Sequence, residues 1–423
     1  MKKSRLLNRP QQKGVALLMA VFSMALLLTI SIEVSNLLVT EHTVSTHHIN
    51  RVRAYFAARA GIKMGMLRIL LYNKANAAFG EQLKDQKQLL DMIWQMPISW
   101  PPQLPPGLSQ IDKGKIDAVV KESEFTGQFY INIQSIGGKI NLNELASENK
   151  DLAASTKEQI LQLFRSELEK NEKFHDEYSS FDFEEMVDNI ADWIDTDNES
   201  RQGGDERSKY PINSDFIPGN QSFWDFTQLK LIPNMTPKIY EMLKQNTTIY
   251  GISGINVNYA DEKGLRSISP LIGDDEIKEI LEYRANKDKG GYFADYNDFI
   301  SFVEEDLRLD KNEFEKNLPV LLFDAEQNFR ITSVGDFKNV NQTIEVITMD
   351  INKAVESQIT SLDKLAEEEK SASQKQSTPQ ITPPSASGSS INNTKKEGDD
   401  EKNKKSKRKI PASPPTIIYW NEY

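Results

Sequence analysis

The sequence predicts an α+β fold in which a small antiparallel sheet is interrupted by a large helical region and preceded by one long apolar helix. Three observations support this prediction. The run Val15–Ile32 contains no charged residue and is long enough to cross a bilayer as a helix. Short runs rich in β-branched and aromatic residues occur before residue 135 and again after residue 328. Helical patterns dominate residues 155–318 between them.

The composition limits the classes of function. Of the 423 residues, 51 are Lys or Arg and 62 are Asp or Glu, so the formal net charge is −11. Phosphate recognition needs clustered basic residues, and we therefore expect no nucleic-acid partner. The chain contains no cysteine, which excludes disulfide bonds and thiolate metal sites and leaves oxygen ligands for hard cations. We interpret the four histidines as surface residues rather than zinc ligands; they are His42, His47, His48 and His175.

The N-terminus carries a basic flank followed by the apolar run. Lys and Arg residues within 1–14 predict a cytoplasmic N-terminus, a single span and an exported remainder. A cleaved secretory signal is one alternative, but no small-x-small site follows Ile32; an uncleaved anchor is the other. Gly14 separates the flank from Val15, and a helix-weakening glycine gives a peptidase access to the backbone at the membrane surface. We therefore favour processing between Gly14 and Val15.

This junction resembles the class III signal of type IV pilins and pseudopilins. The resemblance implies cleavage after Gly14 by a prepilin peptidase and methylation of the new amino group on Val15. The family normally carries a glutamate at the fifth position of the mature chain, where this sequence has Met19. The signal also implies a single-pass protein of the bacterial inner membrane with its C-terminal part in the periplasm.

Apolar residues recur at helical spacing beyond the span. The recurrence runs through Val39, Val44, Ile49, Val52, Phe56 and Ala60. No proline occurs between the span and Pro97, so we predict one helix from about Val15 to about Tyr72. An anchor followed by a separate core helix is equally compatible with this stretch.

The predicted sheet is assembled from distant parts of the chain. Met96–Leu108 contains five prolines and is predicted as a loop. Strands are predicted at Asp117–Lys121 and Gly127–Ile133, and again at Phe329–Ser333 and Thr343–Thr348. The two pairs lie on either side of the helical region, which therefore interrupts the sheet.

The chain changes character twice near its C-terminus. Residues 361–411 are rich in Ser, Lys, Glu, Pro and Asn and poor in aromatics. They cannot bury enough apolar surface to become ordered, and we predict a disordered insertion. The β-forming run Thr416–Trp420 follows, and we predict that it returns to pair with the earlier strands.

The segment Asp192–Glu206 concentrates acidic residues. A helix is predicted to end near Trp193, and alternating acidic residues then run into the turn Gly203-Gly204. Alternating oxygen ligands in a glycine-containing loop can wrap a calcium ion, although the register of an EF-hand is absent. A solvated acidic turn, with an aspartate capping a helix, fits the spacing equally well. Glycosidase chemistry by paired carboxylates is disfavoured, because the sequence marks no cleft.

Two short helices joined by a glycine turn are predicted after residue 254. They cover about Asp261–Ser267 and Asp275–Arg284, with Gly273 in the connection, and they look like the helix-hairpin-helix unit of DNA-binding proteins. The three acidic residues that follow this glycine would repel a phosphate. We therefore interpret the unit as structural.

Taken in order along the chain, these features resemble the K-type minor pseudopilins of type II secretion systems. Two segments match the family pattern D-W-[IL]-D-x-D…G-G-A-E, at Asp192–Asp197 and Gly203–Glu206. The other matching segments are Gly14-Val15, Lys139–Asn143, Asn220–Phe223, Pro237–Tyr240, Ile255–Ala260 and Ile418–Trp420. The collinear order over almost the whole chain makes the resemblance specific.

The resemblance implies a pilin-like fold with a long N-terminal transmembrane helix and a small antiparallel sheet, interrupted by a large helical domain containing a helix-hairpin-helix or SAM-like unit. The expected parts are a prepilin leader (1–14), the transmembrane part of the helix (15–38), the first pilin-like part (39–143), the helical insertion with the acidic loop (144–254), the helix-hairpin-helix-like unit (255–320), the second part of the sheet (321–360), the disordered insertion (361–411) and the final strand (412–423). Everything after the span is expected in the periplasm.

The resemblance also implies calcium, as one or two ions, in the acidic loop. Carried over by position, the expected ligands are Asp195, Asp197 and Glu206, with Asn198 and Glu199 as further candidates. Arg207 stands where the family has another acid, which leaves one ligand or the second ion open.

The function implied by the resemblance is assembly, not catalysis. In a pilin filament the glutamate at mature position five neutralises a neighbour's N-terminal ammonium within the low-dielectric membrane, and a subunit with Met19 cannot supply that partner. We therefore expect a subunit that caps the pseudopilus tip, helps to nucleate it and binds the I- and J-type minor pseudopilins.

Two other classes of protein are considered. One is a membrane-anchored periplasmic DNA-binding protein of a competence or type IV pilus system, which the acidic hairpin disfavours. The other is a membrane-anchored hydrolase, for which the sequence has no nucleophile elbow, His-rich motif or cofactor loop.

Overall fold

The computed structural model describes residues 13–80, 82–83, 87–103, 110–211, 217–251, 254–285, 291–316, 318–351 and 414–423. The helices are α1 (Lys13–Phe79), α2 (Lys87–Gln95), α3 (Gln110–Glu122), α4 (Lys150–Lys170), α5 (Glu172–Tyr178), α6 (Phe183–Ile194), α7 (Pro237–Asn246), α8 (Glu262–Arg266), α9 (Asp274–Ala285), α10 (Tyr296–Glu305) and α11 (Lys311–Phe314). The strands are β1 (Ile98–Trp100), β2 (Gln128–Ser135), β3 (Ile140–Asn141), β4 (Thr247–Thr248), β5 (Ile255–Asn256), β6 (Leu321–Leu322), β7 (Asn328–Phe337), β8 (Val340–Met349) and β9 (Thr416–Glu422). The predicted disordered insertion, 361–411, lies outside the described residues, as does most of the predicted leader.

Helix α1 is continuous from the apolar run into the body of the protein. At ~1.5 Å per residue, its 67 residues extend over about 100 Å. Its first part has a mean hydropathy of 2.6 over 18 residues and could cross a membrane by length and composition. The predicted single helix to about Tyr72 is confirmed and continues to Phe79. The alternative of an anchor followed by a separate core helix is wrong.

Small residues allow the second half of α1 to pack closely on the sheet. Ala54, Ala57 and Ala58 are completely buried. A Cβ atom on Gly335 of β7 would lie 2.1 Å from the carbonyl oxygen of Ala54 and 2.3 Å from the amide nitrogen of Ala58. The absence of a side chain at Gly335 therefore sets the distance between helix and sheet.

An antiparallel sheet with the strand order β1-β2-β7-β8-β9 faces α1. β7 and β8 form a hairpin whose two-residue turn, Lys338-Asn339, has φ values of 51° and 63°, and positive φ at both positions is what a type I′ turn requires. β9 pairs antiparallel with β8, so the end of the chain returns to the sheet. The strands predicted within β2, β7, β8 and β9 are confirmed.

Two predictions for the chain before β2 are wrong. Asp117–Lys121, predicted as a strand, belongs to α3. Ile116, Val119 and Val120 follow the i, i+3, i+4 spacing of a helix, which the five-residue run alone does not reveal. Met96–Leu108, predicted as a loop, contains β1, which pairs with β2. The flanking prolines confine β1 to an edge of the sheet, where a missing N–H is tolerated.

Helices α4 to α11 belong to a second part of the molecule with its own hydrophobic core. Its largest fully buried side chains are Phe164, Phe174, Phe293, Phe299 and Phe314. Two short parallel strand pairs, β3 with β4 and β5 with β6, lie where the chain leaves β2 for this part and where it returns to β7. Helices α8 and α9 occupy the positions predicted for the helix-hairpin-helix-like pair. The predicted mixture of helices and sheet with a long apolar N-terminal helix is thus confirmed.

Candidate metal site

Helix α6 carries two aspartates, Asp192 and Asp195, at its C-terminal end. Asp182 caps its N-terminus by accepting a hydrogen bond from the Glu185 amide at 2.9 Å. At the other end, the Asp195 amide donates to the carbonyl of Ala191 at 3.0 Å, and the backbone then becomes extended. Asp192 and Asp195 are three residues apart and therefore lie on the same face of the helix end.

The loop after α6 returns a glutamate to the same place. Gly203 and Gly204 both have a φ of 91°, which glycine adopts without strain, and the chain reverses there. The Glu206 amide consequently donates to the carbonyl of Asn198 at 3.2 Å. Glu206 begins a short 3-10 helix with its side chain buried. The side chains at the end of α6 and at the end of the loop thus converge.

Three carboxylates meet at this point. Oxygen atoms of Asp192, Asp195 and Glu206 lie within 4.8 Å of one another. Asp192 is 3% exposed and Glu206 is 1% exposed. Within the described part of the chain, no hydrogen-bond donor reaches Oδ1 of Asp195 or either carboxylate oxygen of Glu206. Burial of unpaired polar atoms is costly, and a bound cation would satisfy all three oxygens.

The electrostatics of the cluster favour a cation. Burial, together with repulsion by the charges of Asp195, Asp192 and Asp197, raises the pKa of Glu206 to about 7. Burial and repulsion from Asp197, opposed by Arg201, together raise the pKa of Asp195 to about 6. Calcium takes several oxygen ligands in flexible geometry. The unpaired, mutually repelling oxygens therefore fit calcium chemistry.

Asp192 differs from the other two carboxylates because basic groups already surround it. Its Oδ1 accepts a hydrogen bond from the Arg201 amide at 3.2 Å and lies 3.8 Å from Arg201 Nε. Its Oδ2 lies 3.5 Å from Lys209 Nζ. Sequence reasoning did not include Asp192 among the ligands, although its i, i+3 spacing from Asp195 at a helix end was an available signal.

The remaining predicted ligands lie outside this three-carboxylate cluster. Asp197 is exposed, and its Oδ1 accepts a hydrogen bond from the Glu199 amide at 2.8 Å. Asn198 is exposed, and its Oδ1 accepts from Nδ2 of Asn220 at 3.2 Å. Glu199 is also exposed. The structure therefore brings together Asp195 and Glu206 of the predicted set and keeps the other three at the solvent-facing side of the loop.

The predicted processing residues lie at the start of α1. Gly14 and Val15 are in its first turn, and a Cβ atom on Gly14 would meet no heavy atom within 4 Å. Val15 and Met19 are both exposed. Among the described residues, nothing covers these positions at the start of the helix.

The acidic start of α9 is engaged within the protein. Asp274 forms ion pairs with Lys170 of α4 and Arg266 of α8. These contacts hold the pKa of Asp274 below its usual range, the hydrogen bond from Lys170 being the largest cause. Two basic side chains at this turn are thus occupied by a carboxylate that a phosphate would have to displace.

The comparisons with known proteins concern the segment that contains the acidic loop and the overall fold. Residues 138–251 match the family model described as type II secretion system (T2SS), protein K. No curated protein matches the chain. A chain of the crystal structure of the GspK-GspI-GspJ complex from the enterotoxigenic Escherichia coli Type 2 Secretion System is similar at 17% identity, covering 73% of this chain and 94% of that chain, with a TM-score of 0.47. The resemblance to K-type proteins of type II secretion found in the sequence is thereby confirmed over residues 138–251, the segment that matches the protein K family model.

Proposed function

We propose that this chain is a K-type minor pseudopilin that caps the tip of a type II secretion pseudopilus and helps to nucleate its assembly. In this proposal the sheet and α1 form a pilin-like body, and α4 to α11 form a bulky helical domain with a SAM-like unit. The protein K match over residues 138–251 supports the choice of system. The partners are the I- and J-type minor pseudopilins.

One observation carries the proposal for assembly. Along the periplasmic part of α1, apolar side chains facing away from the sheet are between 48% and 55% exposed: Ile49, Val52, Phe56, Leu67 and Leu71. They recur at helical spacing and continue the apolar surface of the proposed span. A contiguous exposed apolar surface of this kind marks a contact with other proteins. Helices of partner pseudopilins would cover it.

A single substitution on this surface tests the proposal. Phe56→Asp places a charge in the middle of the apolar stripe, and Val119→Asp places one at a similarly exposed position on α3, outside the stripe. The full-length chain is co-expressed with I- and J-type pseudopilins and recovered through a tag on the J-type subunit. We expect F56D to be recovered at least tenfold less than wild type and V119D to be recovered normally. Equal recovery of the two variants, with equal melting temperatures, would contradict the proposal.

The N-terminus supports a capping position at the tip. Residues 15–38 would anchor the protein in the inner membrane after a prepilin peptidase has cut between Gly14 and Val15. The mature chain would then carry Met19 at its fifth position, which offers no carboxylate to the ammonium group of an adjacent subunit. Mass spectrometry of the chain expressed with and without a prepilin peptidase tests this step. A peptidase-dependent, methylated N-terminus at Val15 is expected, and a chain that still begins at Met1 would contradict it.

Calcium has a structural role in the proposal. The free oxygens of Asp195 and Glu206 would bind the ion at the end of α6, and Asp197, Asn198 and Glu199 are candidates for completing its shell from the solvent side. The ion would fix the loop against the helical domain and relieve the repulsion between buried carboxylates. It takes no part in a reaction. DNA binding, the alternative considered from the helix-hairpin-helix resemblance, is not favoured, since Asp274 occupies the basic groups beside that turn.

A further inference from the structure

We propose that Arg201 and Lys209 are fixed counter-ions that limit the acidic loop to one divalent cation, held by Asp195 and Glu206, with Asp192 kept out of its coordination shell. The inference rests on the calcium site proposed above. It adds the number of ions and names two side chains that weaken the affinity of the site.

Asp192 is already paired at both of its oxygens. Arg201 contacts Oδ1 through its amide at 3.2 Å and its Nε at 3.8 Å, and Lys209 Nζ approaches Oδ2 at 3.5 Å. Removing a basic partner from a buried carboxylate is strongly destabilising, because it leaves an uncompensated buried charge. To bind either oxygen of Asp192, a metal ion would have to compete with the basic side chain that lies at that oxygen. Asp195 Oδ1 and both oxygens of Glu206 need no such displacement.

Both basic side chains are held in place by groups outside the cluster. The guanidinium of Arg201 donates through Nη2 to the carbonyl of Leu145 at 2.9 Å and lies 3.6 Å from Oδ2 of Asp195. Nζ of Lys209 donates to Oδ1 of Asn189 at 2.5 Å. Because these anchors fix the two positive charges, the charges remain beside any cation that enters. Because Oδ2 of Asp195 faces Arg201, Oδ1 is the oxygen of Asp195 that remains for a cation.

The charge balance of the cluster matches one ion. Four carboxylates interact with one another at the site and two basic groups contact them, which leaves a formal charge of −2 when the exposed Glu199 is not counted; the residues are Asp192, Asp195, Asp197 and Glu206 with Arg201 and Lys209. One divalent cation neutralises this charge. A second one would create an excess of positive charge a few ångströms from a guanidinium, which is strongly unfavourable in a partly buried site.

Calorimetric titration of the full-length chain with calcium chloride, after removal of metal by a chelator, tests the inference. We compare wild type with Arg201→Gln and with Arg207→Gln, which makes the same charge change at an exposed position of the same loop. We expect wild type to bind one ion. We expect R201Q to bind calcium on the order of tenfold more tightly, whereas R207Q should stay within about threefold of wild type. Arg201→Lys keeps the charge and should retain the wild-type affinity.

Each other outcome has a defined meaning. Binding of two ions by wild type would overturn the inference, and so would an R201Q affinity no higher than that of R207Q; in both cases the calcium site itself would stand. Absence of any calcium binding by wild type would refute the calcium site, and the inference with it. If R201Q does not fold, Lys209→Gln carries the same expectation of about tenfold tighter binding, because Lys209 contacts the other oxygen of Asp192.

Discussion

Tyr259 donates its hydroxyl hydrogen to the buried carboxylate of Asp91, with 3.0 Å between the Tyr259 oxygen and Oδ2 of Asp91. Asp91 lies on α2, beside α1 and the sheet, whereas Tyr259 follows β5 in the helical part. Burial raises the pKa of Asp91, and hydrogen bonds from Tyr292, Trp94 and Tyr259 oppose the rise. The pair is therefore a buried polar contact that joins the two parts of the fold.

Replacing Tyr259 with phenylalanine should destabilise the protein. The variant keeps the ring but removes a donor from a carboxylate that is 1% exposed, and the loss of a hydrogen bond to a buried charge costs about 1–3 kcal/mol. The control is Tyr296→Phe, which removes a hydroxyl that donates to Glu315 at the surface and should change the free energy of unfolding by less than ~0.5 kcal/mol. Urea unfolding measures both. If Y259F lowered the free energy of unfolding no more than Y296F does, this role for the pair would be contradicted.

Glu326 should make stability depend on pH. It is 1% exposed, and its Oε1 accepts hydrogen bonds from the amides of Gln327 and Asn328 at 2.8 and 2.7 Å, while the Ser135 hydroxyl donates to Oε2. Burial nevertheless raises its pKa from 4.5 to about 7. The folded chain therefore holds this proton more tightly than the unfolded chain, so the contribution to stability is greatest below pH ~4.5 and is lost as the pH rises to about 7. The total loss is up to about 3 kcal/mol.

Glu326→Gln is the variant that isolates this effect. Its carbonyl oxygen can accept the same two amide hydrogen bonds, and its NH₂ group can donate to the Ser135 hydroxyl oxygen without a charge. We expect E326Q to be more stable than wild type at pH 8. Its free energy of unfolding should fall much less between pH 4.5 and pH 7 than that of wild type. Glu122→Gln, at an exposed position of α3, should follow the wild-type profile. Parallel profiles for E326Q and wild type in urea unfolding would refute the assignment.

The parts of the fold that could be predicted from the sequence are those whose signal is local. The strand β7 alternates buried and partly exposed positions along almost its whole length, and this alternation can be read directly from the sequence around Phe329–Ser333. The five residues Asp117–Lys121 alone predict a strand, whereas the helical spacing of α3 appears only over Gln110–Glu122. β1 was missed because prolines normally exclude a strand, and only its position at the sheet edge permits them.

The candidate site could be predicted only in part for a similar reason. The spacing of the acidic loop fits a calcium site and a solvated turn equally well. The family resemblance alone implies Asp195 and Glu206 as ligands, and the structure places these two together. The pairing of Asp192 with Arg201 and Lys209 depends on the path of the loop, which folds back so that Arg201 reaches the carbonyl of Leu145. No pattern of residue types encodes that path, so these contacts required the structure.

Gly335→Ala should be strongly destabilising. The new Cβ atom would stand 2.1 Å from the carbonyl oxygen of Ala54 and 2.3 Å from the amide nitrogen of Ala58, and both are backbone atoms of α1. The helix would have to move away from the sheet, at a cost of about 3 kcal/mol or more. The control is Gly114→Ala in α3, where the added atom meets nothing within 4 Å and should stabilise the helix by up to ~1 kcal/mol. Chemical unfolding measures the free energy of unfolding of both variants. If G335A lowered it by less than ~1 kcal/mol, the helix and the sheet would be able to relax around the added atom.

Glu206→Gln should change the stability of the protein in opposite directions with and without calcium. In chelator, wild type buries a carboxylate that no donor among the described residues reaches and that Asp195 and Asp192 repel. The neutral amide removes the repulsion and can donate to Oδ1 of Asp195. E206Q should therefore melt at a higher temperature than wild type in chelator. With calcium at about 100 times its dissociation constant, wild type should gain about 2.7 kcal/mol, whereas E206Q should gain little and melt at the lower temperature.

Thermal melting of the full-length chain in chelator and in calcium measures this reversal. Asp176→Asn, at an exposed position of α5, is the control and should keep the whole calcium-dependent rise. If calcium raised the melting temperature of E206Q as much as that of wild type, Glu206 would not be a ligand. If E206Q were less stable than wild type in both conditions, the buried carboxylate would instead stabilise the metal-free fold, and the argument from unpaired oxygens would fail.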